Sequence, residues 1–499
     1  MTAGAGPSAA AVAKSSDLNS RGRPHEVKLA RRTAREIETD ILAANLPPGT
    51  IYASEPELRK RYGVSRAVLR ESIRLVEHHG LAVMRRGPYG GLVLRAPDSH
   101  ALTQAVTVYL EFVGTSVEDL LAVRCMLEPV AARLAAQRLT EQDINTLRTT
   151  LEEERSFGEF EPSRRDLLHT LMGNIGGNRV LGLFTDVLVR LTERYASIPV
   201  TPAEEASALS AASDRAHAGI VEAIVAGNAM LAEHRCLGHL DAMRDWLMSV
   251  QQRPIRRSGD APVSETPGSR GREKLAEPVA RQLMADIAAS GVPVGEIYAS
   301  ETELLKRLDV SRAAFREAVR LLEYHSVARM RRGSYGGLVI TSPDPSAAVD
   351  AMAVYLEYQK VGVEELRVVR EAIELGALEL LSNHHGDAAI VDELRGAQQV
   401  DATTPAADIP ELSHEFHLRM ADLTGNPVLS LFVRILISVT SRHYPAPNSV
   451  SLEGTPVAPT VSHAHDRILE AIASGDLPLA RHRMHRHLEA LDEWWQSSM

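Results

Sequence analysis

Ile51-Tyr-Ala-Ser-Glu-Pro-Glu-Leu58, followed by Val64-Ser-Arg-Ala67 and Arg85-Arg-Gly-Pro-Tyr-Gly-Gly-Leu-Val93, is the run that decides the fold, and the chain contains it twice. It returns as Ile297-Tyr-Ala-Ser-Glu-Thr-Glu-Leu304, Val310-Ser-Arg-Ala313 and Arg331-Arg-Gly-Ser-Tyr-Gly-Gly-Leu-Val339, displaced by 246 positions. Within the first copy, Ser54 and Glu57 have the spacing of a capping box, which predicts a short helix over 55–62. Gly63 supplies a turn, and Ser65 caps a second helix over 66–79 that Gly80 ends. Residues 81–84 and 91–94 read as two short strands around a glycine-bearing tip. Upstream, residues 27–44 carry helical apolar spacing, broken by Leu46-Pro-Pro-Gly49. The order is helix, helix-turn-helix, β-wing.

The second helix of the pair carries Arg66, Arg70 and Arg74 at four-residue intervals, so the three share one side. Val68, Leu69, Ile73, Leu75 and Val76 supply the opposite, apolar face. A guanidinium is a rigid bidentate fork suited to phosphates and guanine edges. Ser65 and the free N–H groups of the helix start suit a phosphate. On the wing, Arg85 and Arg86 beside Gly87 can reach the backbone or the minor groove. A solvated basic helix face is the bland alternative, and one copy alone would not decide between them. The recurrence of the set as Ser311, Arg312, Arg316, Arg320, Arg331, Arg332 and Gly333 favours DNA binding. The second copy departs in detail: Asp309 stands for Gly63, and Ala314 and Phe315 for Val68 and Leu69.

Working outward, the offset of 246 persists through Tyr109/Tyr355, Arg124/Arg370 and Glu128/Glu374, and becomes 248 at His169/His417, His217/His465 and His239/His487. A two-residue insertion accounts for the change. So long a period is no solenoid; it is a tandem duplication of a two-domain unit. Residues 98–250 read as helices throughout, separated by short Gly/Asn/Pro breaks, which predicts an antiparallel bundle. The expected plan is a disordered tail (1–26), winged head one (27–96), bundle one (98–250), a Pro/Ser/Gly/Arg-rich linker (251–271), winged head two (272–342) and bundle two (344–499). The fold class is mainly α, with two winged helix-turn-helix domains bearing a small β-wing and two all-α antiparallel bundles.

Composition agrees. The chain has 499 residues, a length that suits several domains, and only 4% aromatics, so aliphatic side chains must fill the cores. Two cysteines, Cys125 and Cys236, form no disulfide framework and suit a reducing, cytoplasmic setting. No apolar run is long enough to span a membrane. The net charge is −10, but residues 51–95 hold nine Arg/Lys against four Glu, and 297–341 hold eight against five Asp/Glu. Two basic islands therefore sit in an acidic chain, and their distribution matters more than the sum.

Ser54-Glu-Pro-Glu-Leu58, Val64-Ser-Arg66, Arg70-Glu71 and the wing from Gly87 to Gly91 make the heads resemble the GntR family of bacterial regulators. The chain departs by Tyr52-Ala53 and Tyr298-Ala299 where the family usually has Leu-Pro, and by Pro56 and Thr302 where many members place a DNA-contacting Arg. The resemblance implies major-groove reading by the Arg66 helix, with help from the wing. The bundles, through Arg124-x-x-x-Glu128, His169, Asn178, His217 and His239-Leu240 and their second copies, resemble the FCD effector domain of the FadR-like branch. That resemblance implies a divalent metal such as Zn or Ni, held by His169, His217 and His239 and again by His417, His465 and His487. It also implies a small carboxylate effector clamped by Arg124 and Arg370. The aspartate that many such domains place four residues before the first histidine is Arg165 here and Ser413 in the second copy. Asp166 and His414 lie nearby. Hydrogen-bonded histidines in a polar core, and i,i+4 pairs of each Arg with Glu128 or Glu374, are the plainer readings.

The sequence therefore predicts a cytoplasmic, non-enzymatic transcriptional regulator, repression being the expected mode. Its expected partners are a double-stranded DNA operator and a small acidic metabolite, with no membrane. The two bundles are expected to pair as an intrachain pseudo-dimer, a further homodimer remaining open. A metal-dependent hydrolase and an effector-free architectural DNA-binding protein are the competing classes. The hydrolase lacks an HExxH arrangement.

Overall fold

A computed structural model describes residues 24–87, 90–156, 167–195, 203–250, 276–331, 333, 336–342, 344–382, 388–397, 409–443 and 457–497. The linker over 251–271, Arg165, Asp166, Arg332 and nearly all of the expected tail lie outside them. The chain divides into two compact units, Met1–Pro97 and Asp98–Met499.

The first unit is a winged head. It runs α1 (Pro24–Ala44), β1 (Ile51–Ala53), α2 (Glu55–Tyr62), α3 (Arg66–His78), β2 (Ala82–Arg85) and β3 (Gly91–Leu94). Helix α1 begins at Pro24, inside the expected tail, because proline suits a helix's first turn. The capping box forms as the spacing requires: the Ser54 N–H and hydroxyl both meet the Glu57 carboxylate, at 2.8 and 2.7 Å. Gly63 closes α2 in the left-handed region at φ 63°, and the Ser65 hydroxyl accepts from the Val68 N–H at 3.2 Å to open α3. Leu58, Leu69, Val76 and Ile37 are fully buried where α1, α2 and α3 meet. Two polar contacts brace that core. Ser72 donates to the Ala30 carbonyl at 3.0 Å, and buried His79 meets buried Glu38 at 2.6 Å.

The sheet has three strands in the order β1-β3-β2, all antiparallel. Sequence reading expected only the hairpin, whose register pairs Arg85 with Gly91. Strand β1 escaped it because three residues carry no measurable alternation, and pairing with β3 is what makes them a strand.

The second unit opens with a bundle: α4 (Ser99–Phe112), α5 (Val117–Arg138), α6 (Glu141–Ser156), α7 (Leu167–Ile175), α8 (Arg179–Tyr195), α9 (Ala203–Val225) and α10 (Ala229–Val250). A second winged head follows, with α11 (Ala276–Ser290), β4 (Ile297–Ala299), α12 (Glu301–Leu308), α13 (Arg312–Tyr324), β5 (Ala328–Arg331) and β6 (Gly337–Ile340), its strands ordered β4-β6-β5. The second bundle comprises α14 (Ser346–Tyr358), α15 (Val363–Ser382), α16 (Ala388–Ala397), α17 (Ile409–Leu423), α18 (Pro427–His443), α19 (Val457–Ala473) and α20 (Leu477–Ser497).

The two bundles share one apolar core. Asn178, which caps α8 by accepting from the Leu181 N–H at 2.9 Å, donates to the Glu365 carbonyl of the other bundle at 2.9 Å. Its counterpart Asn426 caps α18 the same way and donates to the Asp119 carbonyl at 3.0 Å. Phe184 stacks on Phe432, its own counterpart, with ring centroids 3.9 Å apart and both rings fully buried. Reciprocal bonds, and a residue meeting its own image, are the marks of an isologous two-fold interface. The symmetry is imperfect. Arg179 clasps Glu365, whereas the matching position of the second copy is Pro427, which has no side-chain donor. The end of the Met126 side chain packs directly over Gly376, in the space a Cβ there would take. The second head does not stand free of the bundles: Val108 and Phe112 of α4, in the first bundle, pack against its core.

Candidate DNA interface and metal centres

Both recognition helices present their arginines to solvent. In the first head the apolar side of α3 buries Val68, Leu69, Ile73 and Val76, while the side chains of Arg66 and Arg70 remain about three-fifths exposed. Leu75, expected on the apolar side, is only half-buried, and Ser72 takes that place in the core. Glu55 at the start of α2 sits among the arginines, 2.8 Å from Arg66 and 3.7 Å from Arg70. Arg74 lies 3.4 Å from Glu71, and Arg85, Arg86 and Gly87 are exposed on the wing. Such exposed pairs are weak and exchange readily for phosphate. In the second head Ser311 caps α13 through the Ala314 N–H at 3.2 Å, and Phe315, Ala318, Val319 and Leu322 are buried. Arg312, Arg316, Arg320, Arg331 and Gly333 are exposed; Arg316 stands 4.0 Å from Glu301 and Arg320 2.8 Å from Glu317. Asp309 holds the turn at φ 49°, the left-handed conformation that Gly63 adopts without a Cβ.

Inside each bundle the three expected histidines converge, although they come from three helices. His169 on α7, His217 on α9 and His239 on α10 offer ligand atoms all within 4.8 Å of one another, and His417, His465 and His487 do the same. The two triads superimpose in their internal geometry: first-to-third ring centroids are 5.3 Å apart and second-to-third 4.7 Å apart in both. The Nε2 atoms face inward. His217 and His239 approach to 3.1 Å, His417 and His487 to 3.2 Å, and His465 and His487 to 3.1 Å.

Carboxylates that sequence reading did not assign to the triads set their protonation. Glu128 takes His169 Nδ1 at 2.5 Å and also pairs with Arg124; Glu374 takes His417 Nδ1 at 2.5 Å and Arg370 at 2.7 Å. Burial raises the pKa of each carboxyl, but the neighbouring Arg and His outweigh it and hold both down at about 2. An ionised carboxylate only accepts, so Nδ1 of His169 and of His417 carries a proton and Nε2 is the atom left to face the centre. Burial, then the neighbouring histidines and arginine, push His239, His465 and His487 well below the usual range, so these rings are neutral near pH 7.

The donor set fits a divalent ion. Two nitrogens each about 2.1 Å from one ion lie about 3.0 Å apart at a right angle and about 3.4 Å apart in a tetrahedron, and the spacings of the pairs His217–His239, His417–His487 and His465–His487 fall in that window. The carboxylate behind an imidazole is the usual support of a metal-ligating histidine. The i,i+4 pairing of Arg124 with Glu128 and of Arg370 with Glu374, the plainer expectation, is thus formed and is part of the centre. The signal for the two glutamates was present in the sequence, as their recurrence four residues after each arginine. Glu154, which holds His217 Nδ1 at 2.7 Å, carried none. Ser413 and His414, near the missing aspartate's position, are both buried, and burial pushes His414 down to about 3. His485, two residues before His487, is half-buried on Glu371 at 2.8 Å.

Winged heads with exposed arginine rows, joined to bundles that enclose polar centres, define a DNA-binding regulator with sensory domains. The FCD domain profile matches residues 119–242 and 365–490, and that of the bacterial regulatory proteins of the gntR family matches residues 29–88. The chain belongs to the GntR family of transcriptional regulators that carry FCD domains, and the FCD domain is present in tandem. Among its relatives, the HTH-type transcriptional regulator LutR of Bacillus subtilis is 27% identical over 218 residues, covering 42% of this chain and 95% of that one. An HTH-type regulator in an unstable DNA locus of Streptomyces ambofaciens is 30% identical, covering 38% of this chain and 73% of its own length. Rv0494 of Mycobacterium tuberculosis is 32% identical over 130 residues, 26% of this chain and 53% of that regulator, so there the match spans about half the relative. A solved structure of Streptococcus agalactiae GntR aligns over 43% of this chain and 99% of its own, at 21% identity and a TM-score of 0.30. The families and named relatives are transcriptional regulators, not enzymes. Among the described residues no helix is long and apolar enough to cross a membrane.

Proposed function

We propose that this regulator places its two heads on the two halves of one operator and releases or tightens them when a small carboxylate enters a bundle. The observation that carries the reading is the repetition of one device. A serine-capped helix with a row of three arginines at four-residue intervals, at least two of them exposed, and an arginine-bearing wing occurs in both heads of a single chain. Arg66, Arg70 and Arg74, and Arg312, Arg316 and Arg320, lie in the major groove, with Ser65 and Ser311 on phosphates. Arg85, Arg86, Arg331 and Arg332, with the turns at Gly87 and Gly333, touch the backbone from the wings. The covalent link makes the second half-site contact intramolecular and raises its effective concentration. The heads differ, so the operator is asymmetric in detail. Repression is the expected mode, in the cytoplasm where the DNA lies.

In each bundle the histidine triad holds a divalent cation of the Zn or Ni type. Such an ion, held by these three histidines, would supply a Lewis-acid anchor for a carboxylate oxygen. Glu128 and Glu374 keep the histidines in the binding tautomer, and Arg124 and Arg370 give the site its positive wall. In the second bundle Arg370 Nη2 and Ser413 Oγ are buried without a hydrogen-bond partner among the described residues, a state that a ligand oxygen would relieve. Effector binding couples to DNA only as far as it binds one head arrangement better than another. Selection of duplexes from a random library by the intact chain, followed by footprinting, tests the core of this. Two protected half-sites about one helical turn apart are expected. Absence of any enriched sequence, or protection of one half-site alone, overturns it.

A further inference from the structure

The two histidine triads match in their own geometry but not in what stands behind them. In the first bundle two of the three imidazoles lean on buried carboxylates: His169 on Glu128 at 2.5 Å and His217 on Glu154 at 2.7 Å. Glu154 is itself fixed, since its other oxygen accepts the Leu168 N–H at 3.1 Å, and it is 1% exposed. In the second bundle Glu374 supports His417, but His465 has no carboxylate partner among the described residues. Its ring lies flat against Phe416 instead, with centroids 4.2 Å apart at 15°, and Phe416 occupies the place of Leu168. An aromatic face positions an imidazole without fixing its tautomer or adding negative charge. A carboxylate does both, and losing such an outer support costs about 10–100-fold in metal affinity. The described charges around the centres follow suit: Glu128, Glu154 and Arg124 in the first, Glu374 and Arg370 in the second.

We infer that the two centres are unequal. The triad of His169, His217 and His239 binds a divalent cation more tightly than that of His417, His465 and His487, because Glu154 braces His217 while, among the described residues, no carboxylate braces His465. This rests on the metal reading proposed above. As the ion's concentration rises the first bundle fills first. The second is the one whose occupancy changes once the first is full, so one half of the duplication is a resident metal domain and the other a responsive one. The counterpart of Glu154, from aligning Leu394 on Leu147, is Asp401. It lies outside the described residues and is one methylene shorter.

Calorimetric titration of the full-length, metal-stripped chain with Ni2+ tests this. Two events separated by about 10-fold or more in Kd are expected. His487→Ala should delete the weaker and His239→Ala the tighter. Glu154→Gln should weaken the tight event about 10–100-fold, whereas Asp401→Asn should leave the weak event unchanged. Hydrogen exchange of the unsubstituted chain at one equivalent of Ni2+ reads the order without relying on any variant's folding, and protection should concentrate in residues 203–250 rather than 457–497. Equal affinities, the reverse order of protection, or an Asp401→Asn loss equal to that of Glu154→Gln overturns the inequality while leaving the metal reading intact. No heat and no protection with Ni2+ overturns both.

Discussion

Asp309 shows what a single position decides. The turn between α12 and α13 needs a left-handed residue, and Gly63 meets that need in the first head while Asp309 meets it at φ 49° in the second. A Cβ in that region costs about 1 kcal/mol, partly offset for aspartate by its short polar side chain. Asp309→Gly should therefore stabilise the second head by up to about 1 kcal/mol, measurable as slower hydrogen exchange in α13. His325 is a second such position. Its counterpart His79 is paired with Glu38, but where the first head has Glu38 the second has Met284. Burial pushes His325 down to about 4. Folding thus favours the neutral ring, while an unfolded histidine takes its proton below about pH 6.5. The second head should lose stability as pH falls from about 6.5 to about 4, by no more than about 3 kcal/mol, and His325→Gln should remove most of that dependence. A denaturation series by hydrogen exchange at pH 7.5 and 5 reads it; an unchanged slope in the variant would count against the assignment.

At the scale of the element, α3 and α13 divide labour between their faces. The buried side hangs each helix on its head, and the exposed side is the one proposed to meet DNA. Replacing Arg66 or Arg312 by alanine removes no core contact, so melting should shift little while operator binding weakens by about 1–3 kcal/mol for a base-reading arginine. Arg85→Ala on the wing should weaken all sequences alike and lower the slope of log affinity against log salt by about one. Glu55 lies between Arg66 and Arg70 and must yield to phosphate, so Glu55→Gln should tighten binding at low salt. Mobility shifts across a salt series separate these three behaviours. Equal loss of affinity on operator and random duplex for Arg66→Ala would show that α3 holds the backbone only.

For the whole molecule, the duplication has turned a two-fold interface into an internal one. Phe184 on Phe432 is its centre, with the Asn178 and Asn426 bonds on either side. Phe184→Ala or Phe432→Ala should each cost about 3–5 kcal/mol, the usual cost of a large core cavity. The double variant should cost clearly less than the sum, because the two rings share one contact. Denaturant unfolding followed by circular dichroism measures all three; strict additivity would mean that the rings do not depend on each other. Freed from self-complementarity, the halves have diverged where they touch, as Met126 against Gly376 and Arg179 without a mirror image show.

The sequence by itself determined what depends on neighbours a few residues away: the capping boxes, the turn at Gly63, the apolar and arginine faces of α3, the helices of the bundles. Repetition extended that reach, because three histidines kept in step in two copies marked a shared centre before any contact was known. Only the tertiary structure decided which groups meet across long stretches of chain. Glu154 behind His217, Asn178 on Glu365, Phe184 on Phe432, β1 on β3 and α4 under the second head's core leave no local periodicity. Each such contact is selected by how whole helices and strands pack, when burial repays the entropy of closing the loops between them.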